Sequence, residues 1–69
     1  MRGRVFAALR DVAEREAATG GPARPRDYAG AYDAGACLRE VRSGFDVLFE
    51  VTPRGRDVLR ELGGEGVGR

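Results

Sequence analysis

Residues 45 to 51 place Phe45, Val47, Phe49 and Val51 on one side of the chain and Asp46, Leu48 and Glu50 on the other. A two-residue rhythm rich in aromatic and β-branched side chains is that of a strand, and no helix has that period. A lone strand leaves its own N–H and C=O groups without partners. It must therefore pair with residues 37 to 42 in a hairpin turned at Ser43-Gly44, with the short segment around Ala23, or with a second copy of the chain. At Thr52-Pro53 the rhythm changes. Thr is a good helix N-cap and Pro is favoured at the first helical position, so a last helix is predicted, with Val58, Leu59 and Leu62 as its apolar stripe and Gly63-Gly64 as its stop. A strand followed directly by a helix makes the chain α+β.

Upstream, Val5, Phe6, Leu9, Val12, Ala13 and Ala17 recur at spacings of three and four, which predicts an amphipathic helix over residues 4 to 17. Gly20 and Pro22 end it, the first by taking the left-handed conformation and the second because it cannot continue a helix. Residues 20 to 26 form a loop carrying Arg24 and Arg26. From Asp27 to Arg42 the apolar positions Tyr28, Ala31, Tyr32, Leu38 and Val41 again follow helical spacing, interrupted by Gly30 and Gly35. Asp33 can cap a new helix from Ala34, so two short helices joined by a tight turn are the preferred reading. The competing reading makes residues 37 to 42 a strand. Residues 1 to 62 are expected to form one domain, and residues 63 to 69, with four glycines, a disordered tail.

The chain has 69 residues, no His and one Cys, Cys37. Neither a four-ligand zinc site nor an intrachain disulfide can be built, so both usual staples of a small domain are missing. A histidine base, a Ser-His-Asp triad and a Cys-His pair are excluded as well, and no enzyme activity, cofactor or metal is expected. Apolar runs are far shorter than the roughly 18 to 20 residues needed to cross a bilayer, and one thiol suits a reducing compartment, which points to the cytoplasm. With 42% apolar and 33% charged residues the chain should fold. A domain this short buries only about 60% of its surface, so a homodimer is expected to bury what one copy leaves wet. Leu48 puts an apolar group on the second face of the strand, where such an association would use it.

All twelve basic residues are Arg, against eleven acidic ones. Residues 45 to 62 resemble the wing strand and following helix of MarR-like winged helix-turn-helix regulators, in which a strand ending in Leu-Thr-Pro leads into an amphipathic helix. The stretch from Leu38 to Phe45 is similar to the exit of that family's recognition helix. Over residues 38 to 62 the resemblance implies a small winged-helix-like α+β domain of three to four helices with a short β-hairpin or a single paired strand. It further implies a non-enzymatic transcription regulator that binds double-stranded DNA as a homodimer, with residues 34 to 42 in or near the major groove.

On that reading Arg24 and Arg26 would meet phosphate at the entrance to the second helix, Arg39 and Arg42 would lie on one helix face toward the groove, and Arg54 and Arg56 would approach the DNA backbone from the first turn of the last helix. The alternative is a protein-protein interaction module, an adaptor or inhibitor on the same fold. The two differ in one testable way. DNA binding needs the six Arg side chains gathered on one face, whereas the adaptor has them interleaved with Glu40, Glu50 and Asp57. Tyr28 and Tyr32, one helical turn apart, are read as packing residues, and Cys37 as a small buried one.

Overall fold

The computed structural model describes residues 3–62. Helix α1 (Gly3–Thr19) is followed by α2 (Tyr28–Asp33), a 3₁₀ turn (Gly35–Cys37), strands β1 (Leu38–Ser43) and β2 (Asp46–Val51), and α3 (Pro53–Leu62). The expected fold class is observed: a small α+β domain of three α-helices and an antiparallel hairpin, consistent with a small winged-helix-like fold. The tail expected over residues 63 to 69 lies outside the described residues.

Helix α1 buries Ala8, Leu9 and Val12, with Val5, Phe6 and Ala13 packed at the margin of the core. It ends as its sequence dictates. Gly20 takes φ +84° and donates its N–H to the Glu16 carbonyl at 2.8 Å. The chain then passes Ala23, which exchanges both backbone hydrogen bonds with Phe49, at 3.0 and 2.8 Å. Of the three pairings open to the strand, the fold uses two at once: Ala23 on one edge of β2 and β1 on the other.

Asp27 starts α2 by accepting the Gly30 N–H at 3.1 Å, and Arg4 of α1 grips the same carboxylate at 2.8 and 3.1 Å. The Arg4 hydrogen bonds, with the Gly30 N–H behind them, hold the Asp27 carboxyl down to about 2. A folded-state pKa below the unfolded value of about 3.9 contributes stability above that value and loses it as pH falls through about 2. Asp27→Asn is therefore expected to lower the melting temperature at pH 6, and the gap between variant and wild type should close near pH 2. A gap that stays constant with pH would show that the charge contributes nothing.

The second helix expected from Ala34 does not form. Gly35, at φ +58°, turns the chain into the 3₁₀ segment, and Leu38 to Ser43 pair with β2 instead. Leu38 and Val41 have helical spacing, but three residues along a strand is an odd number, so they point to opposite faces. Leu38 is buried in the core while Val41 is half-buried on the outer face. With no α-helix over residues 34 to 42, the recognition helix expected there is absent, and one strand of a two-stranded ribbon takes its place.

The hairpin turns through Gly44 and Phe45, with Ser43 opposite Asp46. Gly44 has φ +63° and Phe45 does not have positive φ, which is the type II′ pattern that matches the twist of paired strands. Phe45, expected on the strand's apolar face, is the second turn residue and stands fully exposed beyond the reach of α1. Leu62, expected in the stripe of α3, is also exposed, whereas Leu59 is buried and Val58 packs against the core.

Thr52 caps α3 as anticipated: its hydroxyl accepts the Gly55 N–H at 3.1 Å. The same hydroxyl donates to the Ala36 carbonyl at 2.5 Å, and the Thr52 N–H donates to the Cys37 carbonyl at 3.1 Å. Phe49 sits at the centre of the core at 2% exposure, with the Tyr32 and Tyr28 rings edge-on to it at 5.1 and 6.3 Å. Cys37 is a free, buried thiol.

Candidate functional site

Four of the six candidate arginines are paired with carboxylates. Arg24 pairs with Asp46 at 2.8 Å, Arg39 with Glu50 directly across the hairpin, Arg42 with Glu40 at 3.3 Å, and Arg56 with Glu16 at 3.2 Å. Arg26 contributes its backbone N–H to Asp11 at 2.8 Å, and Arg54 is an exposed residue of the first turn of α3. Eight of the ten arginines in residues 3–62 are engaged in ion pairs, the others being Arg4, Arg10, Arg15 and Arg60. Each guanidinium set beside a carboxylate presents a dipole to an approaching phosphate, not a net charge.

The local pairing is consistent with the proton affinities. The hydrogen bond from Arg24 to Asp46 raises the Arg24 pKa above its ordinary value. Burial pushes the Asp11 carboxyl up, but the Arg26 N–H and the Arg15 side chain outweigh it and hold that carboxyl below its usual range. A shallow depression beside α1 is lined by Arg10, Asp11, Glu14 and Arg26, and these charges largely answer one another. Among the described residues no three His, Cys, Asp or Glu stand together as metal ligands, and no helix is long and apolar enough to cross a membrane.

The hairpin has one face toward the core and one toward solvent. Its inner face carries Leu38, Val51, Phe49 and Val47, closed by α1 and by the two tyrosines, whose hydroxyls donate to the Val47 carbonyl at 3.0 Å and to Glu40 at 3.1 Å. Its outer face carries the Arg39/Glu50 pair, then Val41 beside Leu48, then Ser43 beside Asp46. Val41 and Leu48 are half-buried there, and Phe45 projects from the tip. Leu48 was legible in the sequence as an apolar residue on the wrong face of a strand; Val41 was hidden by its helical spacing from Leu38.

The free edge follows from the ladder. Phe49 spends both backbone groups on Ala23, so Phe49 and Glu40 form a non-hydrogen-bonded pair. The N–H and C=O of Glu40, and two residues on those of Arg42, consequently point away from β2. Among the described residues none of these four groups has an internal hydrogen-bonding partner. Comparison with protein-family models, curated proteins and solved structures finds no match to the chain.

Proposed function

We propose that this domain is a non-enzymatic protein-protein interaction module that makes its contacts through the hairpin and works in the cytoplasm, where Cys37 stays a thiol. The observation that carries this reading is the interleaving of charge: Arg39 with Glu50, Arg42 with Glu40 and Arg24 with Asp46, all on or beside the hairpin. A DNA-binding surface draws its affinity from unpaired cations that displace counterions, and pairing an Arg internally lessens that gain. Protein contact surfaces instead favour arginine and aromatic residues around an apolar centre, as Val41, Leu48, Phe45 and the flanking arginines provide.

The regulator reading makes the opposite demand on one experiment. The mass of the full chain in solution is measured at low salt, with and without a random duplex. Self-association above 7.4 kDa that the duplex leaves unchanged is the expected result. A complex with the duplex whose log affinity falls linearly with log salt would overturn the proposal and restore DNA binding.

A further inference from the structure

We infer that the partner of the hairpin is a second copy of this chain, joined antiparallel along the free edge of β1 about a two-fold axis at Val41. This names the partner for the surface described above and so rests on reading the domain as a protein-contact module. The edge qualifies on two counts. The outward N–H and C=O groups of Glu40 and Arg42 lie in register for strand addition. The strand also includes no proline over residues 38 to 43 and pairs with β2 without a bulge, so the guard of this edge is its charge, at Arg39, Glu40 and Arg42, which a strand of complementary charge satisfies.

Charge then selects the register. Only residues that both point outward can exchange hydrogen bonds, so the permitted pairings near the middle of the strand are those centred on Glu40 or on Val41. Centring on Glu40 sets Glu40 against Glu40 of the second copy, a like-charge pair in direct opposition. Centring on Val41 sets Glu40 against Arg42 of the second copy and, by symmetry, Arg42 against Glu40. It places the two Val41 side chains face to face and Arg39 opposite Ser43. The result is a four-stranded sheet ordered β2-β1-β1-β2, with Leu48, Val41, Val41 and Leu48 in one row across its outer face. Glu40 and Arg42, which meet within one chain at 3.3 Å, thereby gain a second partner each.

The test is a charge swap read by solution mass and by the dissociation constant. Wild type is expected to be a dimer, twice 7.4 kDa. Glu40→Arg alone, or Arg42→Glu alone, opposes like charges twice across the axis and should weaken the dimer by roughly tenfold or more. Mixing these two variants pairs opposite charges again and should yield a heterodimer of near wild-type affinity, as should the double variant E40R/R42E with itself. Since a mixture regains association only if each component is folded, rescue separates a contact effect from misfolding. A second measurement needs no variant: the amide hydrogens of Glu40 and Arg42 should exchange more slowly as wild-type concentration rises. A wild type that stays monomeric, single variants that dimerise undiminished, a mixture that is not rescued, or amides indifferent to concentration would each overturn this pairing. Binding to a duplex would instead overturn the proposed function, and the two failures are told apart because the charge-swap pattern does not involve nucleic acid.

Discussion

Phe49→Ala is expected to leave the domain largely unfolded at room temperature. Truncating a buried phenylalanine costs about 3 to 5 kcal/mol. A folded unit of this size holds only about 3 to 9 kcal/mol in total. The site has little means of collapsing around the loss, because Phe49 is packed under both tyrosine rings and against α1, and its backbone is tied to Ala23. The measurement is far-UV circular dichroism with a urea titration. Phe45→Ala is the control, since Phe45 is fully exposed and its loss should change stability by no more than about 0.5 kcal/mol. A cooperative transition for Phe49→Ala with the wild-type midpoint would show that the core is centred elsewhere.

Gly55→Ala is expected to destabilise the domain even though alanine is the better helix former. In an open helix the change would gain about 1 kcal/mol. Here an added Cβ would overlap the Cys37 carbonyl oxygen and stand 2.9 Å from Val51 Cγ1. That carbonyl accepts the Thr52 N–H, so it cannot retreat without releasing the start of α3. Overpacking of this kind costs about 1 to 3 kcal/mol beyond the propensity gain, and each kcal/mol lowers the melting temperature by about 4 to 8 °C in a domain this small. Gly21→Ala supplies the comparison, because nothing lies within 4 Å of its added Cβ and its φ is not positive. Equal melting temperatures for Gly55→Ala and wild type would mean that α3 does not sit as close to the 3₁₀ turn as described.

Much of the fold was legible because local chemistry and final environment agree. Five of the six apolar positions read in α1, all but the exposed Ala17, together with the end signals at Gly20 and Pro22, the alternation from Val47 to Val51 and the Thr52-Pro53 cap, survive folding unchanged. The preferred helix over residues 34 to 42 was wrong because the apolar residues there satisfy a helical period by accident, and the competing strand over 37 to 42, paired in the hairpin, is the one observed. What decides that stretch is the hydrogen bonding offered by β2, which no local pattern reports. The clamp of Arg4 on Asp27 and the tight seat of Gly55 were invisible for the same reason, being contacts between distant segments.

The candidate site shows that limit more sharply. Arg24, Arg39, Arg42 and Arg56 are as numerous and as well spaced as a DNA footprint requires, and the sequence even sets Glu40 and Glu50 nearby. Whether those charges add or cancel depends on which side chains face one another. Register answers this for Arg39 and Glu50, and strand alternation answers it for Arg42 and Glu40. Composition could count the guanidiniums but not their partners.

Thr52 joins three parts of the chain. One side chain and one amide join the 3₁₀ turn before β1, the end of β2 and the start of α3, through bonds to Ala36, Cys37 and Gly55. Three segments riveted at a single residue cannot pivot independently. Displacing the base of the hairpin therefore strains the bonds that begin α3, which ties the two segments together at one residue.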